Sequence, residues 1–308
     1  MSHNLLLIYV VVVSLALGCT PSGDEQVDNA PKQTGAEIPI VYVVNYPLGY
    51  FAERIGGELV EVVFPVPSGE DPAFWEPSAE DVAAFQAADL VLLNGASYAK
   101  WVERVSLPQR KLVDTSAGFE DPYIVVEDAV THSHGPTGEH AHTGTAFTTW
   151  IDMSQAAEQA RAIAGSFSRA WSANKPAFDA NYAALEKDLL TLDEEIRSIV
   201  GDNRQPMVAS HPVYQYFARR YGVNLRSVLW EPQEPPTEPQ WAELEEILAG
   251  HPAKWMIWED VPASASVERL AAMGVRSVVF DPCGNREEDG DFIDVMKRNT
   301  ENLKQAYP

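Results

Sequence analysis

The chain has 308 residues with 45 acidic against 22 basic side chains, a formal net charge of −23. It therefore lacks the basic footprint by which proteins neutralise phosphates, which excludes nucleic acid as a partner. With 45% hydrophobic and 22% charged residues it is globular in composition and long enough for one large or two medium domains. An acidic surface concentrates cations or serves solubility alone, and charge by itself does not choose between them.

In chain order, residues 5–18 form an apolar stretch shorter than a bilayer span that ends in small residues before Cys19, the layout of a secretory signal. Ala16-Leu17-Gly18-Cys19 resembles a bacterial lipobox. That resemblance implies a signal peptide over 1–18, a lipid anchor on Cys19, and attachment of the chain to the outer side of a bacterial membrane. Residues 19–37 run through Pro, Gly, Ser, Asp and Gln without periodicity, as a flexible tether does. The chain has two cysteines, so lipidation of Cys19 leaves Cys283 without a disulfide partner; its default role is a small buried hydrophobe.

From residue 38 the chain alternates β-branched runs with helical patterns, the signature of α/β units around parallel sheets. Strands are expected at 38–45, 59–65, 90–94 and 111–114, with helices at 47–57 and 78–88. Ser78 with Asp81 three residues on opens the second helix as a capping box. The polar stretch 127–147, with Gly135, Pro136, Gly138 and Gly144, is too long for an ordinary connection and reads as a functional loop. Helices follow at 154–172 and 176–200; in the second, Phe178, Tyr182, Leu185, Leu189, Leu192 and Ile196 recur at three- and four-residue spacing. Strands at 207–210, 224–230, 254–258 and 275–280 then alternate with helices at 213–221, 238–249 and 263–273, and a helix at 292–306 closes the chain. The expected fold class is α/β, two lobes with mostly parallel sheets joined by a single long backbone helix. The lobes are placed at 38–152 and 206–308, with a helical segment at 153–205.

Five motifs stand in order along this pattern: Pro47-Leu48-Gly49-Tyr50-Phe51-Ala52, the run from Gly69-Glu70-Asp71-Pro72 to Ser78, Trp150-Ile151-Asp152, Ser210-His211, and Phe280-Asp281-Pro282. With the lipoprotein signal they resemble the zinc/manganese ABC transporter substrate-binding lipoproteins (ZnuA- and TroA-like). The resemblance implies a non-catalytic receptor that captures zinc, or manganese, between two lobes and delivers it to an ABC permease. It also implies a site of three histidines and one carboxylate. Imidazole and carboxylate suit these ions, and closure of a cleft buries them.

Carried over residue by residue, His211 matches the third histidine and Asp281 the carboxylate. The first two histidine positions hold Ala73 and Thr148. A methyl and a hydroxyl cannot replace imidazoles in a tetrahedral site, which leaves two inherited ligands. His132, His134, His140 and His142, four of the chain's seven histidines, crowd the 127–147 loop, where zinc-specific members of the family carry a histidine-rich segment. Neutral imidazoles on such a loop capture zinc with an affinity that falls as they protonate. Glu76, Glu259 and Cys283 are further candidates as replacement ligands. Trp75, Trp150, Trp230 and Trp258 are candidates for an aromatic pocket, with core packing the default for tryptophan. The alternative function is a non-catalytic scaffold lipoprotein that lost the metal site and binds another small ligand or a protein partner. No nucleophile motif or phosphate-binding glycine loop supports an enzyme.

Overall fold

Two runs of four short strands build two parallel sheets in the computed structural model, which describes residues 37–119, 121–126, 131–133, 139–141 and 144–308. The first sheet contains β1 (Ile40–Val43), β2 (Glu61–Val63), β3 (Leu90–Leu93) and β4 (Leu112–Asp114), in the order β2-β1-β3-β4 with every neighbour parallel. Parallel sheets are covered on both faces, and Val41, Val43, Val91 and Leu92 are fully buried. Helix α1 (Tyr46–Gly56) begins where the Asn45 side chain accepts from Leu48 N and Pro47 fits the first turn. The Ser78–Asp81 capping box starts α2 (Ala79–Ala87) as the sequence indicates.

Helices α3 (Met153–Ala170) and α4 (Lys175–Val200) follow. The 26 residues of α4 span about 39 Å at 1.5 Å per residue. Phe178, Leu185, Leu189, Leu192 and Ile196 form its buried stripe, at the spacing read from the sequence.

The second sheet repeats the plan of the first. Its strands β9 (Pro206–Ala209), β10 (Asn224–Ser227), β11 (Trp255–Trp258) and β12 (Arg276–Val279) run in the order β10-β9-β11-β12, again all parallel. Helices α5 (Gln215–Tyr221), α6 (Glu238–Gly250) and α7 (Ser264–Ala272) lie between them in sequence, and α8 (Phe292–Ala306) ends the chain. The strand order reverses direction between β1 and β3 in one sheet and between β9 and β11 in the other. Such reversals are where open α/β sheets bind ligands, beyond the carboxyl ends of the strands.

The two halves share apolar packing within the unit Ile38–Pro308. One continuous core runs from the first sheet through α3 and α4 to α8. Phe292 of α8 packs edge-on against Phe51 of α1 at 5.2 Å between ring centres. A smaller cluster around Trp230, Trp241 and Trp258 fills the second sheet's other face.

The 127–147 region departs from the single irregular loop expected. Antiparallel pairs form between β5 (Val125–Val126) and β8 (Gly144–Thr145), and between β6 (Thr131–Ser133) and β7 (Glu139–Ala141). Runs of two or three residues are too short to show a strand period. In the β6–β7 pairing His132 is the register partner of His140. The signal segment 1–18, Cys19, and His134 and His142 lie outside the described residues. Among the described residues no helix is long and apolar enough to cross a membrane.

An ion network ties the long helix to both halves. Arg220 of α5 donates to both Asp193 oxygens of α4 and stands 3.8 Å from Asp152, the cap of α3. Tyr221 donates to Asp193 at 3.1 Å, and its hydroxyl accepts from Met153 N at 3.3 Å. Asp193 and Asp152 are both buried, so removing the guanidinium leaves two buried carboxylates without their cation, although Tyr221 still donates to Asp193 and the first turn of α3 to Asp152. Arg220→Ala is expected to cost about 2 kcal/mol, below the full penalty for breaking a buried pair because the arginine is partly exposed. Urea denaturation checks this, with Arg220→Lys expected to recover part of the loss.

Candidate functional site

A cavity of about 350 Å³ lies between the carboxyl-end loops of the two sheets. From the first half come Asp71 and Pro72 after β2, Tyr98 after β3, and Phe147, Thr148 and Trp150 before α3. From the second come His211 after β9, Glu231 after β10, Glu259 and Asp260 after β11, and Asp281 and Glu287 after β12. The two ligand positions expected from sequence, His211 and Asp281, therefore line one cavity. Each sits where its strand ends, because a parallel sheet sends every strand's carboxyl end to the same edge.

His211 is 2% exposed, and its Nδ1 lies 3.6 Å from Glu259 Oε1. Asp281 is pinned through its backbone: its N–H donates to Asn299 Oδ1 at 2.9 Å, and Asn299 Nδ2 donates to its carbonyl at 2.7 Å. Its Oδ1 accepts from Cys283 N at 2.6 Å. Cys283 itself takes a left-handed backbone conformation, φ 56°, and is fully buried. The thiol does not line the cavity, consistent with its reading as a packed hydrophobe.

The remaining candidates separate by position. Glu76 pairs with Arg104 on the surface at 2.6 Å, so the site does not use it. Trp75 packs against Trp101 and Phe85, while Trp230 and Trp258 belong to the core of the second half; these three are packing residues. Trp150 lines the cavity, with its indole N–H spent on Pro282 O at 2.7 Å. Ala73 is buried, its N–H donating to Asp71 Oδ1 at 2.8 Å. Thr148 is also buried and donates its hydroxyl to Val213 O across the seam. Sequence reading missed Asp71, Glu231, Asp260 and Glu287, although each sits in a loop directly following a strand of a recognised α/β unit. Among the described residues no group of three or more His, Cys, Asp or Glu is drawn together tightly enough to hold an ion by itself.

The cavity is strongly acidic, and among the described residues no lysine or arginine lines it. Burial, reinforced by Glu231, Asp71, Asp281 and Asp260, pushes the Glu259 carboxyl up to about 8. Burial and then the neighbouring Glu287 carry Asp281 to about 7. Crowded carboxylates that resist ionising favour a proton or a cation. A carboxylate cluster of this kind attracts and neutralises a positive ligand.

Two sheets joined by a long helix, with a ligand cavity between their carboxyl-end loops, define a two-lobed α/β binding protein. The family model for the zinc-uptake complex component A, periplasmic (ZnuA), matches residues 41–306, and the chain belongs to that family. Among its relatives is the zinc-binding lipoprotein AdcA of Streptococcus pneumoniae (strain ATCC BAA-255 / R6), 26% identical over 287 residues, covering 89% of this chain and 57% of the relative. The chain thus spans little more than half the length of that protein. The high-affinity zinc uptake system protein ZnuA of Bacillus subtilis (strain 168) is 23% identical over 314 residues, covering 96% of each chain. The fold is shared with the Zn(II)-bound ZnuA-like domain of Streptococcus pneumoniae AdcA: TM-score 0.74, 22% identity, 88% of this chain and 98% of that one.

The raised carboxyls set a pH dependence. Acids with folded values of about 8 and about 7, against ordinary values of 4.5 and 3.8, bind protons more tightly when folded. Their contribution to stability is complete below the ordinary values and is lost as pH rises through the folded ones. The metal-free protein is expected to lose stability between about pH 5 and pH 8 through these groups. Glu259→Gln should flatten that decline, read by urea denaturation at both ends of the range; an unchanged slope would remove Glu259 as its source.

Proposed function

We propose that this chain is a non-catalytic, extracytoplasmic substrate-binding protein that captures a divalent transition metal, zinc first and manganese second, and delivers it to an ABC permease. The observation that carries this reading is the convergence of His211 and Asp281 on one acidic cavity between the two sheets, in a chain of the zinc-uptake family. The reading uses Cys19 as a lipid anchor holding the protein at the outer face of the membrane. His132, His134, His140 and His142 gather ions from solution at neutral pH and release them as they protonate.

The closed tetrahedral cage that suits zinc is incomplete here, since Ala73 and Thr148 supply no imidazole. Affinity at the cavity is accordingly moderate, and the histidine segment compensates by collecting ions. A scaffold lipoprotein without cargo is the competing reading, favoured by the same two substitutions. The crowding of carboxylates in the cavity argues against it, because an abandoned cleft gains stability by losing such charges.

Calorimetric titration of metal-stripped protein with zinc decides between them. His211→Ala is expected to weaken the cavity site by at least about tenfold, in line with losses at metal-site residues. Replacing 127–147 by a short Gly-Ser linker should lower the number of ions bound while leaving the cavity site intact. The double substitution A73H/T148H should tighten zinc binding by about tenfold or more by restoring imidazole donors. Wild-type protein that binds zinc no better than His211→Ala would sink the cavity as the capture site.

A further inference from the structure

We infer that Glu259 is a direct ligand of the captured cation, and that the ion sits partly hydrated between one imidazole nitrogen and carboxylate oxygens, which narrows the margin by which zinc is preferred over manganese. This rests on the cavity being the cargo site.

The two sheets share one topology, which allows their switch points to be compared position by position. In the first sheet Val43 pairs with Leu92, so two residues further along Asn45 stands beside Asn94. Those two are buried and hydrogen-bonded, Asn45 Nδ2 donating to Asn94 Oδ1 at 3.3 Å. In the second sheet Ala209 pairs with Ile257, and two residues further along His211 stands beside Glu259. The first switch point is closed by a neutral amide pair joined to Gln159 and Thr149. The second carries a histidine and a carboxylate 3.6 Å apart, both lining the cavity. Its chemistry is that of a ligand pair, placed where open α/β sheets bind their ligands.

Glu259 also lies on the open side of this pair. Its side chain is 23% exposed against 3% for His211, so its oxygens reach the cavity while the imidazole is held behind. The empty imidazole positions cannot be refilled from the first half by small movements. Position 73 carries only a methyl, and the Thr148 hydroxyl is committed to Val213 O.

The donors that remain around the cavity are oxygens: Glu259 and Asp281, with Glu70, Asp71, Glu231, Asp260 and Glu287 also lining it. A cavity of about 350 Å³ exceeds a bare ion many times over and leaves room for water in the unfilled coordination positions. Oxygen donors and retained water suit manganese, whereas zinc gains most from additional imidazole or thiolate. The substitutions at 73 and 148 therefore shift the site toward oxygen coordination and narrow its preference for zinc.

The test uses the full metal-stripped chain with its histidine segment intact. Manganese binding is followed by loss of the free-ion electron paramagnetic resonance signal, and zinc binding by calorimetry. The variants are Glu259→Gln, His211→Ala and, as a control away from the cavity, Glu76→Gln. Glu259→Gln should weaken manganese by about tenfold or more while Glu76→Gln leaves it unchanged. Bound manganese should show coupling to a single nitrogen, lost in His211→Ala, together with enhanced water-proton relaxation. Zinc and manganese affinities should differ less in the wild type than in A73H/T148H.

Unchanged binding in Glu259→Gln alongside weakened binding in His211→Ala overturns Glu259 as a ligand and leaves metal capture standing. Coupling to several nitrogens without bound water overturns the hydrated site and indicates that other histidines complete the shell. Wild type that binds neither ion better than His211→Ala does overturns the metal-capture reading itself.

Discussion

The structure depends on one topological constraint: all strands of a parallel sheet point the same way, so their carboxyl ends and the loops that follow them share an edge. Here two sheets of identical strand order bring those edges to a common cavity. Every acidic cavity residue, and His211, follows one of the strands β2, β9, β10, β11 or β12. The strands supply rigidity and the loops supply chemistry, so the cavity's composition can change while the scaffold stays intact. Ala73 and Thr148, which stand where the family resemblance implies imidazoles, illustrate this, since both are buried.

Contacts across the seam bear on how the halves hold together. Trp150 Nε1 donates to Pro282 O at 2.7 Å, Tyr46 N to Gly284 O at 3.1 Å, and Asn285 Nδ2 to Pro67 O and Glu70 O at 2.8 and 2.7 Å. The segment that carries Asp281 therefore also grips the loop preceding Ala73. With the shared apolar core between α1 and α8, these bonds join the halves by backbone as well as side-chain contacts. Thr148 adds a further bond across the seam, its hydroxyl donating to Val213 O.

Electrostatics sets the cavity apart from the rest of the acidic surface. Among the described residues most carboxylates are exposed, whereas Glu259 and Asp281 are largely desolvated at a cavity that five other carboxylates also line. Burying like charges is unfavourable unless a counter-charge accompanies them. In the proposed reading a divalent cation supplies that counter-charge, and protonation is the alternative without it. On that reading, metal affinity and stability in this cavity are linked through the same groups.

Much of the architecture was legible in the sequence. β-branched runs, the Ser78 capping box and the spaced apolar residues of α4 are local signals, and local signals fix strands and helices when packing agrees with them. The motifs around His211 and Asp281 were legible for the same reason, each being a short run at a strand end. The pairing of β6 with β7 was not, because two polar triplets carry no visible period. In the sequence Glu259 was visible only as one candidate among several, and Glu76 looked equivalent until its partner Arg104 was seen. The sequence by itself determined the α/β units, the long helix and the absence of imidazole at positions 73 and 148. Only the tertiary structure decided that Glu259 faces His211 and that seven carboxylates line one cavity, because those neighbours are 48 or more positions from His211 in several cases and meet through sheet order, which no local pattern encodes.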